Sequence, residues 1–324
     1  MILIVISSII STSLILYITF KPFNFATYIN LIDKANQDKI KQHKYDTPKT
    51  GGIVLFILST QIFLIYFFLN NTSKEIISIY LIISSFFIIG LIDDYINFSA
   101  LGRLVSLSIF CCLSLYLSDA LIIQEIYFDT LNKKIEINSF DFVFTVFCII
   151  ALQNAFNFAD GSNGNLLTIA LTILAVLLFI KLSIILIVLT LVILLLLISN
   201  VKNFIFLGNN GSSIISCIIA ISIIIYNKEY YYYLSGEKIL ILLLLPGIDM
   251  IRVTFIRIYN NKNPFIGDRN HFHHIVFDNI KTIYWIPFYF FFIITLFVLS
   301  SYIEAYLVLF FQLFFYFYLL KKYN

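Results

Sequence analysis

Charge is scarce in this sequence. Asp, Glu, Lys and Arg make up 12% of 324 residues, where a soluble domain carries about a quarter. That shortage argues against the two soluble domains the length alone would suggest. Sulfur chemistry is thin as well. Cys111, Cys112, Cys148 and Cys217 all lie inside apolar runs, and none forms a C-x-x-C pair. They read as small buried apolar residues, not as a disulfide framework. No basic run with interleaved aromatics is present and the net charge is only +3, so nucleic acid is set aside as a partner.

What the chain has in excess is oil: 60% of its residues are hydrophobic. Apolar runs recur at roughly 2–20, 52–70, 76–92, 104–123, 140–156, 165–180, 182–199, 213–226, 239–256, 284–300 and 305–320. Each is about long enough to cross ~30 Å of hydrocarbon. The reading is an all-α polytopic membrane protein of about eleven transmembrane helices, a single integral-membrane domain over 1–324. Lys181 alone separates two long runs and makes that division the weakest. The opening "MILIVISSIISTSLILYITF" lacks a basic leader and a cleavage site, so it reads as a retained first span.

Basic residues orient the spans. With the N-terminus outside, the loops 21–51, 93–103, 157–164, 200–212 and 257–283 and the C-terminal tail face the cytoplasm. With Arg252, at the end of the ninth span, counted on that side, fifteen of the 21 lysines and arginines fall there and six on the other, as the positive-inside rule asks. On the outer side "QEIYFDTLNKKIEINSFD" alternates apolar and polar around a turn and predicts a short hairpin.

Every polar cluster that carries chemistry falls on the cytoplasmic face. "LIDDYINFSALGR" ends the third span with Asp93 and Asp94. Acids there either cap the span in the headgroup zone or serve a cation or a proton transfer. "QNAFNFADGSNGN" spaces Asn154, Asn157 and Asp160 by three, roughly one helix face, before a glycine-rich break that frees backbone N–H groups. "LGNNGSS" sets two amides between glycines and follows them with hydroxyls that predict an N-cap for the next span. "RIYNNKNPFIGDRNHFHH" holds three of the four histidines: His271, His273 and His274. Without a further Cys or His nearby, anion recognition fits them better than zinc. "DKANQDKIKQHKYDTPKTGG" adds His43, five lysines and a glycine pair suited to close backbone approach. Carboxylates for a metal, N–H groups for phosphate and basic residues on one face suit phosphoryl transfer at a membrane surface.

In these five ordered motifs the sequence resembles the polyprenyl-phosphate N-acetylhexosamine-1-phosphate transferase family, from about residue 30 to 280. "DK.N" and "NPF..DR.HFHH" look closer to its O-antigen, common-antigen and teichoic acid branch than to the peptidoglycan branch. The resemblance implies a bacterial inner-membrane enzyme with a cytoplasmic-face cleft. It would move sugar-1-phosphate from a UDP-sugar to undecaprenyl phosphate, release UMP and use Mg²⁺, with Mn²⁺ as a substitute. Membrane lipid is implied as a partner, and a homodimer is compatible with it.

Roles carry over as implications. Asp93 would position the lipid phosphate, which needs little deprotonation because its second pKa is near 6. Asp94 and Asp160 would be acids of the metal and diphosphate site, and Asn154 and Asn157 its amides. Gly161, Asn163 and Phe206 would surround the uracil, with Phe206 stacking on it. Arg269, His271, His273 and His274 would read sugar and diphosphate, while Lys34, His43 and Lys49 hold phosphate. Two departures stand out: Ala35 replaces a proline, and Asn209 replaces the metal-binding Asp of F-x-G-D-x-G-S. The competing readings are a phospho-N-acetylmuramoyl-pentapeptide transferase, a secondary transporter and a catalytically silent scaffold. No inverted repeat supports the transporter.

Overall fold

The computed structural model describes residues 2–35, 45–69, 71–96, 98–263 and 270–323. His43 and Arg269 lie outside the described residues. The helices run α1 (Ile2–Phe20), α2 (Pro22–Tyr28), α3 (Gly51–Phe68), α4 (Lys74–Ile96), α5 (Ala100–Leu117), α6 (Asp141–Ala159) and α7 (Asn165–Ile180). They continue with α8 (Ile184–Val201), α9 (Gly208–Glu229), α10 (Gly236–Tyr259), α11 (Phe272–Asn279), α12 (Thr282–Leu299) and α13 (Ala305–Tyr323). Two small ladders accompany them: β1 (Ile32–Asp33) with β2 (Thr47–Pro48), and β3 (Glu125–Phe128) with β4 (Lys133–Glu136).

Many of these helices are rich in Ile, Val and Phe, which are mediocre helix formers in water. In hydrocarbon the ranking matters little, because each backbone N–H and C=O must find a partner within its own segment. Among the described residues, ten helices are long and apolar enough to cross a membrane, and α7, at 16 residues, is a shorter apolar one. The all-α polytopic class holds. The division at Lys181 holds too: its extended backbone closes α7.

By contacts the expected single domain divides into two compact units, 1–121 with 191–218, and 122–190 with 219–324. In the first, Gln61 of α3 ties α1 in place. It accepts from the Ser11 hydroxyl at 2.9 Å and donates to the Ser8 oxygen at 2.7 Å. Such contacts join helices where lipid removes the hydrophobic drive. Phe56 stacks on Phe87 at 4.1 Å and Phe63 on Tyr80 at 4.2 Å, fastening α3 to α4. The Ser99 hydroxyl caps α5, and β1 pairs with β2 in the register Ile32↔Pro48.

In the second unit α10 packs on α6 and α13, and α7 on α12, with Ile241, Leu296 and Val308 in its core. The predicted hairpin is β3–β4, in the register Phe128↔Lys133. It is fixed to the start of α10, where Glu237 accepts the N–H groups of Asp129 and Thr130.

Two boundaries differ from the sequence reading. α5 stops at Leu117, because Ser118 turns extended and a short 3₁₀ turn follows. More consequential, "GNNGS" is no loop before a span. It is the first turn of α9, which begins at Gly208. The hydroxyls do not cap it: Ser212 bonds back to the Asn209 carbonyl from inside the helix.

Candidate active site

Something other than a local hydroxyl must therefore satisfy the first N–H groups of α9. It is Asp94, at the C-terminal end of α4. Asn209 N–H donates to Asp94 Oδ1 at 3.0 Å and Asn210 N–H to Oδ2 at 2.9 Å. The Asn210 side-chain amide also donates to Oδ2, at 2.5 Å. A carboxylate at a helix N-terminus answers both the orphan donors and the positive end of the helix dipole. Gly208 permits the approach: it adopts φ +72°, and a Cβ there would stand 2.8 Å from Asp94 Oδ2.

The rest of the first cluster closes around this cap. Lys49 places its ammonium 3.6 Å from Asp94 and 3.5 Å from Asp33. Phe206 N–H donates to the Pro48 carbonyl and Gly51 N–H to the Phe206 carbonyl, locking the residues just ahead of α9 to the start of α3. The glycine pair has the predicted close approach. A Cβ on Gly52 would meet the Asn210 side-chain oxygen at 1.9 Å, and one on Gly90 the Asn209 carbonyl at 2.6 Å. Asn210 is fully buried, and its Oδ1 has no hydrogen-bond partner among the described residues. Lys34 is exposed, while its neighbour Asp33 meets Lys49. Asp93, one residue before the cap, is buried in an ion pair with Arg103 at 2.6 Å.

The second unit builds its own cluster. Asn154, Asn157 and Asp160 are all half-buried at the end of α6, and the Asn154 amide bonds back to the Ile150 carbonyl. Asp160 terminates α6, and the turn to α7 is closed by Gly164 at φ +81° and by the Asn165 amide on the Ala159 carbonyl. Gly161 and Asn163 lie in that turn. Gly161 is where this loop meets the histidines: a Cβ there would stand 2.4 Å from His273 Nε2 and 3.1 Å from His274 Nε2.

The histidines divide into two roles. His273 packs parallel to His271 at 5.5 Å and close to His274 at 4.2 Å. His271 itself is 5% exposed and held at both nitrogens. Arg257 Nη2 is 3.2 Å from its Nε2 and can only donate, so Nε2 accepts. Its Nδ1 therefore carries the proton and donates to Asp249 Oδ2 at 3.0 Å. Asp249 also accepts from Arg252 at 2.7 Å, the Tyr316 hydroxyl at 2.9 Å and the Phe272 N–H at 3.0 Å. The last bond caps α11. Asp249 thus does for α11 what Asp94 does for α9: a buried acid from one helix caps the start of another. His271 is a member of this lock; His273 is buried beside it, and His274 is half-buried.

Asp249 and Arg252 were missed from the sequence. Their signal was present in "GIDMIR", an acid with an arginine three residues on inside an otherwise apolar span, and intramembrane charges usually mark function.

The glycosyl transferase family 4 model matches residues 76–227. Undecaprenyl-phosphate alpha-N-acetylglucosaminyl 1-phosphate transferase of Salmonella typhi is 23% identical over 78% of this chain and 70% of its own. A probable undecaprenyl-phosphate N-acetylglucosaminyl 1-phosphate transferase of Bacillus subtilis is 27% identical over 85% and 77%. Phospho-N-acetylmuramoyl-pentapeptide-transferase of Thermoanaerobacter sp. is 27% identical over 40% and 44%. The family match takes in the Asp93–Asp94 pair, the Asp160 turn and the capped start of α9, and over those residues the chain is similar to glycosyl transferase family 4.

Proposed function

We propose that this chain transfers sugar-1-phosphate from a UDP-N-acetylhexosamine to undecaprenyl phosphate at the cytoplasmic face of a bacterial inner membrane. A lipid phosphate oxygen forms a bond to the sugar-bearing phosphorus, the diphosphate P–O bond breaks, and UMP leaves. The observation that carries the reading is the pair of capped helix starts. In each, a buried acid fixes a turn beside basic or imidazole groups, as a reaction governed by positioning anionic groups requires. Asp93, ion-paired with Arg103, suits holding a charge pattern better than removing a proton.

Mg²⁺ belongs to this proposal. Among the described residues, no three His, Cys, Asp or Glu side chains form a group able to hold a metal. Mg²⁺ commonly takes only one or two carboxylates and completes its shell with substrate phosphates and water, so a single acid such as Asp160 fits. When bound, it would offset phosphate charge. Asp94 and Asn209 are the other metal candidates. Restoring the acid with Asn209→Asp is expected to lower the Mg²⁺ concentration at half-maximal UMP release about tenfold, a shift of ~1.4 kcal/mol. A titration of wild type and variant checks it, and an unchanged requirement removes position 209 from the ligand set.

The decisive test is UMP release by membranes holding this chain, given undecaprenyl phosphate, Mg²⁺ and a panel of UDP-sugars. Release with a UDP-N-acetylhexosamine is expected. Release only with UDP-N-acetylmuramoyl-pentapeptide would assign the peptidoglycan reaction instead, and release with none would sink the reading. Within it, Gly161→Ala is expected to push the His273 ring away and lower kcat/KM about a hundredfold, because ångström displacements cost that much. The melting midpoint should stay near wild type, since the turn backbone there is not left-handed.

A further inference from the structure

A cavity of about 530 Å³ lies in the second unit, between the β3–β4 hairpin, the start of α6 and the end of α9. α6 carries this cavity at its first residue and the Asp160 turn beyond its last. Nineteen residues of helix separate the two ends, about 28 Å at 1.5 Å per residue. The cavity is therefore no part of the cluster at the Asp160 turn.

Its size falls within the roughly 300–1,000 Å³ of small-molecule sites. The walls carry the rings of Tyr127 and Tyr231, the carboxylates of Glu136 and Asp141, and the amides of Asn138 and Asn227. The two rings meet edge to face at 5.4 Å. Lys134 is ion-paired with Glu125 and rests 4.0 Å over the Tyr231 ring, so the favoured cation position is already filled from within. Lys228 also lines the cavity. The lining is thus close to charge-balanced. It is too acidic for a phosphate ligand and too polar for an acyl chain. Amides and carboxylates beside tyrosine rings suit a neutral polyhydroxylated ligand, whose hydroxyls donate to carboxylates and accept from amides while its C–H faces lie on the rings. Tyr232 and Tyr233 follow at 60% and 66% exposure, as tyrosines do where membrane meets water.

We infer that this cleft binds a saccharide, free or lipid-linked, at the end of the second unit remote from the Asp160 turn. The inference does not depend on the transferase reading.

The test uses the full chain in lipid nanodiscs and saturation-transfer NMR, with chitotriose and maltotriose as probes. Saturable binding of at least one is expected, weakened about tenfold or more in Tyr231→Ala and in Glu136→Gln. Glu136 is exposed and carries no packing role, so that variant guards against loss of fold. UMP release by both variants should match wild type, which separates this site from the transferase. Nanodiscs carrying undecaprenyl-diphosphate-linked N-acetylglucosamine distinguish the sources: displacement of the soluble probe marks a lipid-linked ligand. No saturable binding of either probe, equal binding by the variants, or displacement by spermidine would each overturn the assignment.

Discussion

Asp249→Ala is expected to destabilise the chain by about 3–5 kcal/mol, the cost of leaving buried charge without its partner. Four donors converge on that carboxylate: Arg252, His271, the Tyr316 hydroxyl and the Phe272 N–H. Asp249 is 6% exposed and Arg257, behind His271, only 1%, so water cannot replace what is removed. Thermal melting of the detergent-solubilised chain should show the loss directly. Asp249→Asn is the finer probe. An amide retains one acceptor but turns an N–H toward His271 Nδ1 or toward the other donors. If the imidazole proton moves to Nε2, that nitrogen confronts Arg257, which can only donate. Either arrangement leaves two donors face to face. The asparagine variant should therefore melt closer to wild type yet lose UMP release about a hundredfold or more, as wrong tautomers do elsewhere. Adding His271→Ala to it should cost little more, because the two residues act as one unit. Wild-type stability and activity in Asp249→Ala would show that the network supports nothing.

How much of this was legible in the sequence depended on what carries each feature. Hydrophobic length fixes where helices form, so all eleven runs, and even the break at Lys181, could be read from composition. The β3–β4 hairpin was legible from its alternation. The start of α9 was not. "GNNGS" has the local chemistry of a loop, with two glycines and two asparagines. It is helical because an acid some 115 residues earlier satisfies its first N–H groups. Local propensity cannot show a cap that arrives through space. Asp249 escaped for the same reason: its partners Phe272 and Tyr316 are 23 and 67 residues away in sequence. The motif histidines were found as a group, but the locking of His271 needs the Arg257 and Asp249 contacts.

The same logic makes Asp94→Asn the second large effect, and it separates two roles for one acid. Both Asp94 oxygens are occupied by N–H donors at the start of α9, and its side chain is fully buried. An asparagine would keep one acceptor and turn an N–H toward Asn209 or Asn210. Losing one charge-assisted bond inside a buried cluster costs about 1.5–3 kcal/mol. Lys49 would also lose one of its two carboxylates, keeping Asp33. The first turn of α9 would then loosen, and with it Asn209 and the Phe206 backbone tied to Pro48 and Gly51. UMP release at saturating Mg²⁺ is expected to fall about a hundredfold, with a lower melting midpoint and an unchanged Mg²⁺ requirement. That pattern is what a positioning cap produces. A carboxylate acting mainly as a metal ligand would do the opposite: the variant would need more Mg²⁺ but approach wild-type release once saturated, and the fold would barely notice. Two of the bonds come from backbone N–H groups, which side-chain exchange at Asn209 or Asn210 leaves in place unless proline is introduced, so the Asp94 variant is the one that decides between the roles.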